Sequence, residues 1–147
     1  MERQALLVSI RTLTEEILIH RRFAVSGVSR DPNKFGYKVF HTLKNAGYQV
    51  FAVNPNAEAI GEDPCFPTAD NVPGPIDCLV TVTPPRITEE TIREVSHLHI
   101  PYLWMQPGSE STAAFNLARS SGMQIVSGGP CIMSAVLELK GRRDTLV

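Results

Sequence analysis

An alternation constrains this chain more than any other feature: short Val-rich apolar runs, each closed by Gly or Pro, separated by segments of helical spacing. The clear runs are RRFAVSGVS (21–29), YQVFAVNP (48–55), IDCLVTVTPP (76–85), YLWMQPG (102–108) and MQIVSGGP (123–130). They are apolar on both faces and too short for buried helices, so they read as strands covered on both sides. From Phe35 the period changes. Phe35, Val39, Leu43 and Ala46 recur at helical spacing, and Gly47 is a stop signal. Helices are also predicted over 88–97 (Ile92 and Val95 inward), over 111–121 with Gly122 closing it, and over 132–139. Ahead of the first strand, residues 5–19 show a stripe of Leu6, Ile10, Leu13 and Ile17, with Thr12 and Glu15 spaced as a capping box. Residues 56–75 hold six Gly and Pro residues and predict a loop with one short strand near Phe66.

Alternating strands and helices with doubly buried strands imply an α/β fold: a three-layer, doubly wound parallel sheet joined by right-handed crossovers. Ligands of such sheets sit outside the carboxyl ends of the strands, near the switch in strand order. The residues atypical of strands and helices collect at those ends: SGVSRDPNKFG, VNPN, VTPPR, MQPGS and SGGPC.

At 147 residues the chain is expected to form one domain over 1–147, with residues 1–20 packing on it as an N-terminal helix. A formal net charge of −1 argues against a nucleic-acid partner, which calls for a basic face. The apolar runs are too short to span a bilayer, and ALLVSI lacks the cationic start and cleavage site of a leader. Cys65, Cys78 and Cys131 are odd in number and hold no CxxC, which fits reduced thiols in a cytoplasm.

The first strand end carries the most chemistry. A loop entering a helix presents unpaired N–H groups and a positive dipole end, which favour an anion. Gly27 allows a sharp turn, Ser29 adds a hydroxyl, Arg30 and Lys34 add cations, and Gly36 permits close approach at the helix start. A dinucleotide fingerprint requires glycines where this chain has Ser29 and Pro32. It also requires an acid at the end of the second strand to hold ribose hydroxyls, and here stand Asn54 and Pro55. A carboxylate there repels an added ribose phosphate, whereas Asn does not. The site therefore suits an adenine nucleotide with more phosphate than NAD. A Walker loop is excluded for want of G-x-x-x-x-G-K-[ST].

GVSRDPNKFGYKVFHTLKNAGYQVFAVNP, with VTPP and WMQPG downstream, resembles the stand-alone CoA-binding domain family, over about residues 12–139. That family is related to the CoA-binding domain of the succinyl-CoA synthetase alpha subunit and of NDP-forming acyl-CoA synthetases. The resemblance implies a Rossmann-like domain that binds coenzyme A or an acyl-CoA. Phosphate contacts would fall on Gly27, Ser29, Arg30 and Lys34, and second-strand contacts on Asn54 and Pro55. Thr83, Pro84, Gln106 and Pro107 would wall the adenine and the pantetheine arm. The chain departs from its relatives before the last cysteine, with Gly129-Pro130 where they carry a basic residue.

No catalytic or metal constellation accompanies this. His97 and His99 read as a surface pair at a helix end, Trp104 as core, and Cys131 as a small buried hydrophobe entering the last helix, with a reactive thiol as the lesser alternative. The expectation is a non-catalytic carrier, sensor or regulatory module, free of membrane and nucleic acid and open to a homo-oligomer or partner protein. The alternative is a subunit of a multi-chain acyl-CoA synthetase, which needs further chains for activity. A nicotinamide-dependent oxidoreductase is disfavoured by the missing acid and glycines.

Overall fold

Alternation along the strands sorts the core into two apolar layers. In the computed structural model, which describes residues 2–146 and side chains from 9 to 143, the first strand is β1 (Arg22–Ser26). Its Phe23 and Val25 enter one layer and Ala24 the other. The same period of two recurs in β5 (Cys78–Thr81), where Cys78 and Val80 oppose Leu79, and in β6 (Tyr102–Met105), where Tyr102 and Trp104 oppose Leu103 and Met105.

The first layer is closed by α1 (Glu2–Ile17), α2 (Phe35–Asn45) and α5 (Ile132–Leu146), through Ile17, Val39, Leu43, Ile132 and Val136. The second is closed by α3 (Pro85–Val95) and α4 (Thr112–Ser120), through Ile92, Val95, Ala114 and Ala118. The remaining strands are β2 (Gln49–Val53), β3 (Ala59–Ile60), β4 (Asp63–Phe66) and β7 (Gln124–Val126). Their order is β3-β4-β2-β1-β5-β6-β7, parallel throughout except for the β3–β4 pair. The chain runs outward from β1 through β2 to the edge strand β3, folds back to lay β4 between β2 and β3, then returns to place β5 on the other side of β1. That places the switch in strand order between β1 and β5. The expected three-layer, doubly wound, Rossmann-like α/β fold is present.

Several boundaries differ from the sequence reading. α1 starts at Glu2, so Thr12 lies inside the helix and is no cap. Glu15 instead meets Arg142 of α5 at 3.2 Å and Arg11 at 3.5 Å. Leu6 of the expected stripe lies outside the residues whose side chains are described. The end of α1 is docked, since the Tyr48 hydroxyl donates to the Leu18 carbonyl at 2.7 Å. α3 begins at Pro85, earlier than expected, because a proline at the first helical position loses only an N–H that is unpaired there anyway. It ends at Val95, and His97 falls in a separate single turn (Ser96–Leu98), exposed, with Nε2 against the Asp70 carboxylate. The 56–75 loop contains a short antiparallel pair, β3 with β4, rather than one strand. α5 runs past Leu139 through a polar segment that carries no apolar period.

Candidate functional site

Gly27 closes β1 and binds the turn to its neighbours. Its N–H donates to the Val53 carbonyl at 2.9 Å, and its φ of +100° is left-handed. A Cβ there would fall 2.8 Å from the Thr83 methyl, so the turns after β1 and β5 cross at contact. The following loop braces itself. Ser29 Oγ accepts the Asp31 N–H at 3.0 Å, Asp31 Oδ1 accepts the Asn33 N–H at 2.9 Å, and the Lys34 N–H reaches the Asp31 carbonyl at 3.0 Å.

α2 then opens at Phe35 with no side-chain cap and no acid in its first turn. Helix-start N–H groups left this way carry a partial positive charge that favours an anion. Arg30 and Lys34 are both exposed on this loop. Gly36 is buried, and its role is internal. A Cβ at Gly36 would stand 2.3 Å from the Gly27 carbonyl oxygen, so the close approach is between helix and turn.

Asn54, at the end of β2, ties the second strand end to the first. Its Nδ2 donates to the Val28 carbonyl at 2.8 Å, and its Oδ1 accepts the Asn56 N–H at 2.8 Å. The amide is thus engaged in shaping the two loops, and no carboxylate stands at that position.

Between these loops and α3 lies a cleft of about 390 Å³. Gly27, Asn54, Pro55, Thr83 and Pro84 line it together. Its far wall is one face of α3, with Ile87, Glu90, Thr91 and Glu94 at helical spacing, and its end is Pro67, Thr68 and Ala69. On the other side of Thr83 and Pro84 opens a second groove of about 770 Å³, bounded by Phe35, Val82, Pro85, Pro107, Gly108 and Cys131. Thr83 and Pro84 belong to both and form the ridge between them. Thr88 fixes that ridge: its hydroxyl lies 2.8 Å from Thr83 Oγ1 and is itself wholly buried.

Gln106 behaves differently from the other candidates. It is wholly buried, and its Oε1 accepts the Ile132 N–H at 3.3 Å, so its amide joins the β6 end to the start of α5. Its Nε2 has no partner among the described residues. Like Ser29, Arg30, Lys34 and Gly36, Gln106 lines neither cavity, whereas its neighbour Pro107 lines the second.

Residues 21–136 match the family described as the CoA binding domain. The chain belongs to the CoA-binding domain family. It is 35% identical over 75 residues to the alpha subunit of the ADP-forming acetate–CoA ligase II of Pyrococcus furiosus, across 50% of this chain and 16% of that subunit. The chain therefore spans a small part of that curated relative's length. A structure of a hypothetical protein from Pyrococcus horikoshii OT3 superposes with a TM-score of 0.84 at 26% identity, over 89% of this chain and 92% of the other. A conserved hypothetical protein from Pyrococcus furiosus gives a TM-score of 0.73 at 31% identity, over 78% and 98% respectively.

Of the residues expected at the site, Gly27, Asn54, Pro55, Thr83 and Pro84 line the first cleft of this CoA-binding domain, whose lining also holds residues that the sequence reading did not name. Ile87, Thr91 and Glu94 carried a readable signal, since they share one face of a helix that begins at the last proline of VTPP. Thr68 and Phe35 carried none, because long-range packing brings Thr68 to the cleft and the period of α2 points Phe35 inward. Phe35 is instead 40% exposed, at the rim of the second groove.

The three thiols have distinct surroundings. Cys78 is fully buried, and burial followed by the nearby Asp77 charge pushes its thiol far up from the usual range. Burial also raises Cys65, whose Sγ donates to the Asn54 carbonyl at 3.7 Å. Cys131, expected as a buried hydrophobe, is instead partly exposed, because the start of α5 leaves it lining the groove. Thiolates, not thiols, are alkylated. With iodoacetamide at pH 8, Cys131 is expected to react first, Cys65 slowly, and Cys78 only in denaturant. Peptide mapping by mass spectrometry reads the order, and early labelling of Cys78 would contradict the core described here.

Proposed function

We propose that this protein binds coenzyme A or an acyl-CoA across the carboxyl edge of its sheet. It would hold the ADP moiety and phosphates and act as a non-catalytic carrier, sensor or regulatory module in the cytoplasm. The observation that carries this reading is the uncapped start of α2 with Arg30 and Lys34 beside it, next to a β2 end that presents Asn54 and not an acid. Phosphate is favoured at the first feature, and an additional ribose phosphate is tolerated at the second. Gly27, Ser29, Arg30 and Lys34 contact phosphate in this reading, with Gly36 setting the helix against the turn. Asn54, Pro55, Thr83 and Pro84 wall the nucleotide, and Pro107 flanks the arm, with Gln106 behind it as a brace.

Calorimetry with CoA, dephospho-CoA, NAD and ATP tests the reading directly. CoA is expected to bind most tightly, and binding of NAD without CoA would overturn it. Replacing Lys34 by alanine is expected to weaken CoA binding by about 1.5–3 kcal/mol, the range for a hydrogen bond to a charged group. Unchanged affinity would remove Lys34 from the site.

A second reading has its own support. The Pyrococcus furiosus relative is a subunit of an acetate–CoA ligase, and the matched stretch is 16% of it. This chain would then supply the CoA-binding part of a multi-chain acyl-CoA synthetase. Affinity capture from the native cell followed by a ligase assay separates the two, since the carrier reading requires full CoA affinity without any partner chain.

A further inference from the structure

The two cavities at the strand ends differ in what they offer a ligand. The first mixes polar and charged side chains, Asn54, Thr68, Glu90, Thr91 and Glu94, with the apolar Pro55, Pro67 and Ile87. The second is walled by Phe35, Val82, Pro85 and Pro107, with Cys131 at its margin, and carries no charged side chain. Phe35 stands partly uncovered there although its neighbours on α2, Val39 and Leu43, are fully buried. An aromatic ring beside a valine and prolines, left open to water at the mouth of a groove, is apolar surface that a ligand can cover. Thr83 and Pro84 are common to both cavities, so a ligand seated in the first crosses that ridge to enter the second.

We propose that the second groove is an acyl subsite. It takes the apolar acyl group of an acyl-CoA thioester, and the protein prefers such thioesters to free CoA. The proposal rests on the CoA reading above and specifies the form of the ligand. A free thiol at the end of the arm covers little of Phe35, Val82 and Pro107. An acyl chain covers more with each carbon, and a fully buried methylene is worth about fourfold in affinity. The groove is open on one side, so about two- to fourfold per methylene is expected. An acyl group ending in a carboxylate gains nothing, because the walls offer that charge no partner.

Calorimetric titration with CoA, acetyl-CoA, propionyl-CoA, butyryl-CoA and succinyl-CoA tests the proposal on the whole chain. The wild type is expected to bind butyryl-CoA about four- to sixteenfold more tightly than acetyl-CoA, with succinyl-CoA no better than acetyl-CoA. The ratio of butyryl-CoA to acetyl-CoA affinity is expected to collapse toward one in Phe35→Ala and to be largely restored in Phe35→Leu. Equal affinities across the wild-type series overturn the acyl subsite and leave the CoA reading standing. A ratio that survives Phe35→Ala unchanged also overturns it. Failure of every CoA species to bind the wild type overturns the underlying reading as well.

Discussion

Replacing Gly36 by alanine is expected to cost about 1–3 kcal/mol of stability and to abolish tight CoA binding in the same stroke. The backbone at Gly36 is ordinary helix, so conformation is no obstacle. Space is the obstacle. The added Cβ would lie 2.3 Å from the Gly27 carbonyl oxygen and 2.9 Å from the Val82 methyl. A side chain can swing away from such a contact. The Gly27 carbonyl cannot, because the residue's own N–H is tied to Val53 and the turn leaves no room for even a Cβ beside the Thr83 methyl. The strain must therefore lift the start of α2 off the turn, and that is the pair of elements to which the proposed function assigns the phosphates. Gly141→Ala is the matched control. It makes the same chemical change inside α5, meets nothing within 4 Å, and is expected to stabilise by up to about 1 kcal/mol. Urea midpoints and calorimetry with CoA read both effects. A Gly36→Ala protein with wild-type midpoint and affinity would show that α2 and the turn are not locked as described.

How much of this was legible follows from where the information sits. β1, β5 and β6 were plain in the sequence because both faces of each strand are buried, so every residue but Arg22 at the start of β1 is covered. The N-terminal extent of α1 and the tail of α5 were not, since polar residues there carry no apolar period to read. Pro85 hid the start of α3, because a proline reads as a breaker until its position in the first turn is known. Among the cleft residues, Gly27, Asn54, Thr83 and Pro84 were visible, since a strand end that must turn sharply restricts the residue type. Gly36 was visible too, but its purpose was not: the contact it permits is with another turn of the same chain. Gln106 sits at the expected strand end yet faces the protein, since its amide is engaged with the start of α5. Side-chain direction at a strand end depends on the neighbouring element, and no local pattern encodes that.

Trp104 links the core to the second groove, and two substitutions should separate its roles. Its ring is fully buried in the layer under α5, and Nε1 donates to the Pro130 carbonyl at 3.0 Å, one residue before Cys131. Trp104→Ala removes the ring and leaves a cavity, and is expected to cost about 3–5 kcal/mol by urea denaturation. Trp104→Phe keeps most of the packing and deletes only the donor, leaving the Pro130 carbonyl unpaired, at about 1–3 kcal/mol. The informative readout for the milder variant is local. Without its tether the 127–131 loop should open more often, so iodoacetamide should reach Cys131 faster in Trp104→Phe than in the wild type. Cys78, buried in the same layer, distinguishes this from general loosening. If Cys131 labelling accelerates while Cys78 stays protected, the tryptophan N–H holds the groove wall. If both accelerate together, the wall has no separate tether, and the groove is only as rigid as the core beneath it.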